Sequence, residues 1–358
     1  MKFFFDSFRH RSITAVRLAV LLLLAIINKT EAQTQKEKPA VTFEELYDEP
    51  FSINKLFIGF QPLYGELFAT NPNAGFGIEA SYYYKDKFDL KASFRKTYSS
   101  EFFDYNRQAS AKNQNSNISN LPQSFNYFEI GGTYHIKDFD QDSKTTMVLY
   151  KKSFKGDRWA ATVPLHAEIP CKVRKIYGAR LGTILWQSTT DINRALGKQG
   201  LTNTNLTTST GKQLPNTYLD KYGQQKQLNA FSSIQSADIY VGGSLSWIRN
   251  VAVSFDKYDE GVDDGLMTVF FDVMLAPSFT LDPITYGGEK YSTKALKTHS
   301  LGVRAGIDGK FNRTLGWSYG GELGFRPSLA GQGFYAMFKI AFPLYSTNLD
   351  YKVESFGK

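Results

Sequence analysis

Apolar and polar residues alternate along most of this chain. In FDLKASFRKTY, Phe88, Leu90, Ala92 and Phe94 fall on one side, and Asp89, Lys91, Ser93 and Arg95 on the other. GWSYGGELGFR sets Trp317, Tyr319, Leu323 and Phe325 against Ser318, Glu322 and Arg326, and GFYAMFKIAFPLY places Phe334, Ala336, Phe338, Ile340, Phe342 and Leu344 together. A period of two is the signature of a β-strand with one apolar and one polar face. It predicts about twelve strands, at 54–64, 74–85, 87–98, 124–137, 144–154, 158–169, 172–188, 236–256, 265–279, 295–309, 314–326 and 333–345, with ten to fourteen compatible with the pattern. YVGGSLSWIRNVAVSFD reads as one strand because Val241, Leu245, Trp247, Val251, Val253 and Phe255 keep one parity. The alternative is a hairpin broken at Arg249 and Asn250, which would make thirteen.

The connections sort into two sets. Short ones are expected at 85–87, 138–143, 170–171, 257–264 and 310–313, and long polar ones at 99–123, 189–235 and 280–294, with 155–157 a short member of the long set. The largest contains TNTNLTTSTGKQLPN, which has no apolar period and reads as a surface loop able to fold over one end of a barrel.

Residues 1–17 carry Lys2, Arg9, Arg11 and Arg17, and LAVLLLLAII (18–27) is an apolar run of ten before a polar stretch. That order is an export signal, with cleavage expected after Ala32. Ten apolar residues are too few to span a bilayer as a helix, and no later run reaches eighteen, which excludes helical membrane spans. Removing 1–32 takes away five basic and two acidic side chains, so the formal charge falls from +8 to +5. The remaining Lys and Arg are scattered singly, which excludes a nucleic-acid footprint. One Cys among 358 residues excludes a disulfide scaffold. With 15% aromatic residues and 29 Gly, the composition suits strands and tight turns, and it is too apolar for disorder.

A signal ahead of alternating strands whose apolar face is aromatic at the strand ends points to an all-β fold, a transmembrane antiparallel up-and-down β-barrel. At 54–345 the chain resembles the outer-membrane β-barrel proteins of Gram-negative bacteria, and its Tyr- and Phe-rich strands look like those of the Bacteroidota. The resemblance implies the outer membrane as location, lipid and lipopolysaccharide as surroundings, periplasmic termini (33–53 and 346–358) and loops 99–123 and 189–235 outside. Such barrels commonly close on a terminal aromatic residue. Here Phe342 or Tyr345 would take that part, followed by thirteen more residues.

If the apolar parity faces lipid, the lumen receives Glu79, Asp89, Glu129, Glu168, Asp272, Asp308 and Glu322 against Lys91, Arg95, Arg174, Arg180, Arg304, Arg326 and Lys339. A charge-selective pore needs one sign in excess. A balanced set argues for cross-strand ion pairs filling a narrow barrel, and what remains is a modest polar path along Gly75, Gly77, Gly131, Gly178, Gly182, Gly302 and Gly306.

Catalysis would need converging groups. His135 stands two residues from Thr133 and His166 two from Glu168, while His299 is flanked at that spacing by Lys297 and Leu301. Each His reads more simply as a structural residue. Asp259, Glu260, Asp263 and Asp264 lack EF-hand spacing and read as a solvated turn. No cofactor or metal is expected. The acidic amphipathic segment around Phe43, Leu46, Tyr47 and Phe51 has three readings: a plug from below, a docking piece or a flexible leader. The expectation is a non-catalytic accessory or structural subunit of an outer-membrane assembly with other envelope proteins as partners. The alternative is a diffusion channel for small solutes.

Overall fold

A computed structural model of the chain describes residues 42–68, 71–98, 117–121, 123–149, 154–155, 158–159, 165–255, 258, 260–313 and 317–347. The expected signal at 1–32, residues 33–41, most of loop 99–123, Asp259 and most of the tail 346–358 lie outside the described residues.

Thirteen strands organise the structure: β1 (Phe43–Asp48), β2 (Leu56–Phe68), β3 (Asn71–Tyr84), β4 (Phe88–Thr97), β5 (Asn126–Leu149), β6 (Leu165–Asp191), β7 (Phe231–Ile248), β8 (Val251–Phe255), β9 (Gly261–Asp263), β10 (Gly265–Leu281), β11 (Leu301–Phe311), β12 (Ser318–Phe325) and β13 (Phe334–Ser346). Ten of them, β2–β7 and β10–β13, pair antiparallel in chain order and close through β2 against β13. The fold is a transmembrane-type up-and-down β-barrel. Strands β1, β8 and β9 form a separate small sheet. The rim where β2 starts and β13 ends is called lower below, and the opposite rim upper.

The alternating parities lie as the pattern predicts. Leu90, Phe94, Phe271, Leu323, Phe325, Phe338 and Phe342 are exposed on the outer wall, while Arg95, Asp272, Glu322 and Lys339 are buried inside. On β10 the outer face runs through Met267, Phe271, Val273 and Leu275 to Pro277. Ten steps of about 3.4 Å tilted by about 40° give an apolar band of about 25 Å, the height of a bilayer core. Aromatic pairs stand at its edges: Phe88 with Tyr134 (5.3 Å) and Phe311 with Trp317 (5.4 Å) at the lower edge, and Phe325 with Phe334 (5.6 Å) at the upper.

Ten strands replace the expected twelve because two expected hairpins do not exist. Segments 124–137 and 144–154 are one strand, β5, and 158–169 and 172–188 are one strand, β6. The two pair from Asn126↔Gln187 to Leu149↔Leu165. The polar run 138–143 and the Pro170–Cys171 pair are not turns. β4 leaves β5 at Tyr134 and β7 leaves β6 at Arg174, so residues 141–149 and 165–173 continue below the barrel as a two-stranded ribbon about 30 Å long. Pro170 is tolerated there for a geometric reason. The Lys172 N–H, at the same parity, points off the free edge to the Asp48 carboxylate (2.8 Å), so the N–H that Pro170 lacks is not needed by the ladder. Residues 155–157, expected at the outer end, belong to the connection at the lower tip of this ribbon.

The single strand 236–256 is also corrected. β7 ends at Ile248, and β8 turns out of the barrel to pair with β1 (Phe43↔Phe255, Asp48↔Val251) and β9. Val251, Val253 and Phe255 keep their parity and are buried, but in the small sheet.

Replacing Phe271 with Arg at the middle of the apolar band costs about 2–4 kcal/mol if that band faces hydrocarbon. Urea titration of the protein folded into vesicles measures it. The same substitution at exposed Val148 on the ribbon leaves the midpoint unchanged.

Candidate functional site

The barrel interior is built from the inward parity of all ten strands, and it is layered. At the upper rim, the segment between β6 and β7 folds inward. Its helix α1 (Ile192–Lys198) is capped by the Asp191 carboxylate, which accepts the Arg194 N–H at 3.1 Å, and buries Ile192, Ala195 and Leu196. These join Leu206, Leu214, Leu228, Ile284, Tyr291 and Leu329 in one apolar cluster, which continues into the lumen through Phe68, Phe125, Trp186, Tyr240 and Met274. The Asn-rich stretch holds this cap by amide bonds. Asn193 Nδ2 donates to Asn203 Oδ1 (3.1 Å) and to the Leu228 carbonyl (3.0 Å), and Asn203 Nδ2 to the Pro215 carbonyl (3.2 Å). The loop without apolar period therefore does fold over the mouth.

Beneath the cap lies a charged layer centred on Arg304. Its guanidinium meets Glu129 at 2.6 Å, Asp272 at 2.8 Å and Glu322 at 3.6 Å, and stacks over Tyr240 at 4.4 Å. Asp272 is its direct cross-strand neighbour and also takes Arg180 Nε at 2.9 Å. Arg95 reaches Glu322 at 3.5 Å and stacks on Tyr127 at 4.2 Å. Arg326 pairs Glu66 with two bonds of 2.9 and 2.7 Å over the Tyr335 ring. Lower down, Lys339 bridges Glu79 (2.5 Å) and Asp308 (2.9 Å), and Lys91 holds the other Asp308 oxygen at 2.6 Å.

Among the fourteen candidates, twelve lie in this lumen. Arg174 sits at its lower rim, bonded to Asp138 and Asp86. Glu168 is a correction: it keeps lumen parity, but it belongs to the ribbon, where no lumen exists, and is exposed. Three charged lumen residues escaped the pattern. Glu66 and Lys310 lie just past the predicted strand ends at 64 and 309. Asp238, bonded by Trp186 Nε1 at 3.0 Å, sits next to a register shift. The glycines do not line a path either. A Cβ on Gly131 or Gly182 would strike the Tyr240 ring, and one on Gly306 the Phe270 ring, so these positions make room for the aromatics that fill the barrel.

The lower rim is crossed by the segment after β1. Asn250 Nδ2 donates to the carbonyls of Glu49 and Ser52, both at 2.8 Å. Asn54 donates its backbone N–H to Asn312 Oδ1 (3.0 Å) and its Nδ2 to the Asn312 carbonyl (2.7 Å), and Phe51 lies 4.1 Å under the Arg174 guanidinium. Ile53 packs with Ile176, Ile248 and Leu266. The segment read as a plug, a docking piece or a leader is divided: Phe43–Asp48 pairs with β8 in the small sheet, residues 49–54 cross the lower rim, and 33–41 lie outside the described residues.

Neither His pairing makes a catalytic couple. His135 faces carboxylate and carbonyl groups and not Thr133: Nδ1 lies 2.8 Å from the Asp86 carbonyl and Nε2 3.1 Å from Asp89 Oδ1. His166 and His299 are exposed. In the acidic turn, Asp263 accepts the Thr145 hydroxyl (2.6 Å) and Asp264 the Arg313 N–H (2.6 Å). Among the described residues, no group of three or more His, Cys, Asp or Glu is placed to hold a metal ion. Cys171 is buried in the ribbon, and that burial pushes its thiol up and keeps it unreactive.

No protein-family model and no curated protein matches the chain. Among solved structures, it is similar to a loop L8 deletion mutant of OmpT, an outer membrane protein of Vibrio cholerae. The match covers 81% of this chain and 99% of that one at 7% identity, with a TM-score of 0.17. A likeness that loose carries no argument about this chain.

Arg304→Ala leaves three buried carboxylates short of a partner and destabilises the fold by about 3–5 kcal/mol, measured by urea unfolding in vesicles. Arg249→Ala, which removes an exposed pair to Asp263, costs less than about 1 kcal/mol in the same assay.

Proposed function

We propose that the chain is an integral outer-membrane β-barrel with both termini in the periplasm. In this reading it is exported by the signal at 1–32 and works as a non-catalytic accessory or structural subunit of an envelope assembly. One observation carries this reading. The barrel is crossed at its upper end by the 192–230 cap and at its lower end by residues 49–55, with the Arg304 network between them. An interior so filled moves the working surfaces outward, to the cap on one side and to the ribbon and small sheet on the other. The side that carries β1, with its acidic Glu44 and Glu45 exposed, is the one that would meet periplasmic partners. The apolar band calls for lipid around it, lipopolysaccharide in the outer leaflet included.

A small-solute channel is the second reading, and it has its own observation. Along the β2–β4 wall, Gln61, Tyr64, Asn73, Ser93, Arg95 and Thr97 each present a buried polar atom without a hydrogen-bond partner in the protein, as a wetted wall would.

Two measurements separate the readings. Purified protein in planar bilayers is expected to be electrically silent, and extraction of native membranes in mild detergent is expected to bring down a stoichiometric envelope partner. Steady open conductance from a protein that purifies alone would reverse the order.

A further inference from the structure

Two adjoining cavities of about 30 and 60 Å³ lie in the lower lumen, and both are walled by Ser81, Lys91, Asp308 and Lys310. A cavity of this size holds a few water-sized groups, enough for a halide ion and too little for a sugar acid.

On these walls three lysines, Lys91, Lys310 and Lys339, face three carboxylates, Glu79, Asp89 and Asp308, and the ion pairs pass one lysine by. Asp308 is held by Lys91 and Lys339, and Glu79 by Lys339, Gln61 Nε2 (2.8 Å) and the Ser318 hydroxyl (2.5 Å). Asp89 faces His135, and Arg180 is tied to Asp272. Lys310 differs from the other two lysines: among the described residues, no carboxylate lies within ion-pair distance of its ammonium group. It donates to the Ser81 hydroxyl and stands over the rings of Phe57 (5.3 Å) and Tyr83 (6.0 Å).

The half-buried Lys310 ammonium has three protons to place, and partial removal from water favours pairing its charge. Because Ser81 accepts from Lys310, the Ser81 hydroxyl proton is free to point into the cavity. The hydroxyls of Thr133, Ser244 and Thr268 line the same space, where they offer further orientable donors. Orientable donors gather around an ammonium group with no ion pair of its own, which is the chemistry of an anion site.

We propose that Lys310 and Ser81 hold a halide-sized inorganic anion in the lower lumen of this barrel.

The test uses the full mature protein in a non-ionic detergent, unfolded thermally at constant ionic strength while sodium gluconate is replaced by sodium bromide. The wild type is expected to gain several degrees in midpoint with a saturable dependence on bromide, as a ligand that binds only the folded state requires. Lys310→Met is expected to lose the response while remaining folded, and Lys310→Arg to keep it. Ser81→Ala is expected to shift saturation to higher bromide, and it serves if the Met variant does not fold. Crystals grown in bromide should show an anomalous peak beside Lys310 Nζ. Superimposable bromide and gluconate curves would overturn the proposal, as would an undiminished response in both Lys310→Met and Ser81→Ala, or bromide located only elsewhere.

Discussion

One buried guanidinium organises the interior. A barrel of eight strands is about as wide as side chains can easily fill, and ten strands enclose more. This barrel fills the excess with its largest side chains, Tyr127, Tyr240, Phe270 and Tyr335 stacked with Arg95, Arg180, Arg304 and Arg326. Arginine supplies volume and a flat face for an aromatic ring, but it brings a charge that needs a partner away from water. Glu129, Asp272 and Glu322 converge on Arg304 from three strands, so that one residue cross-links β5, β10 and β12 to β11 through the middle of the lumen. The glycines follow from the same constraint. Gly131, Gly182 and Gly306 are bare where Tyr240 and Phe270 need room.

The two ends are closed by different physics. The upper cap adds an apolar core to the barrel, so its closure draws on burial of Leu, Ile and aromatic side chains, while the Asn193 and Asn203 amides fix its internal shape. The lower segment is held by paired amides, Asn54 with Asn312 and Asn250 with two carbonyls, around a small cluster at Ile53. Hydrogen-bonded closure is directional and specifies one register of the segment beneath the barrel. Between the two lie the charged layer around Arg304 and, lower down, the cavities beside Lys310.

Period two made most of the barrel legible. The outward set on β4, β12 and β13 and twelve of the fourteen candidate lumen charges follow from alternation alone. What alternation misses is where a strand stops. Glu66 and Lys310 fell outside because polar residues near a rim look like a turn, and Glu168 fell inside because parity says nothing about whether neighbouring strands are still present. Two strands of 24 and 27 residues read as four because a water-exposed ribbon has the composition of a loop. The cap was invisible to periodicity for another reason: its fold rests on single Leu and Ile residues and on Asn amides bonded to backbone, none of which repeats.

The ribbon explains why the small sheet exists. On β6 the outward parity of Leu181 and Tyr177 continues, past Lys175, into Val173, Cys171, Ile169 and Ala167, all buried. On β5 the register shift between His135 and Lys137 moves the parity by one, so that Phe139 stacks on Tyr177 at 6.1 Å and Thr145, Met147 and Leu149 follow on the same face. The apolar face of the membrane band therefore runs on past the lower rim, to a level where the lipid that would cover it has ended. Water there would meet a strip of exposed Ile, Val, Met and Leu about 30 Å long on an open two-stranded edge, a template for aggregation. Strands β1, β8 and β9 take the place of lipid. Gly261 lies against Met147, Leu149 and Phe255, where any side chain would collide, and Asp48 occupies the free edge at Lys172. The chain leaves the barrel at Arg249 and Asn250, and its amino-terminal strand crosses back beneath, because the same apolar strands must be solvated twice, once by hydrocarbon and once by protein.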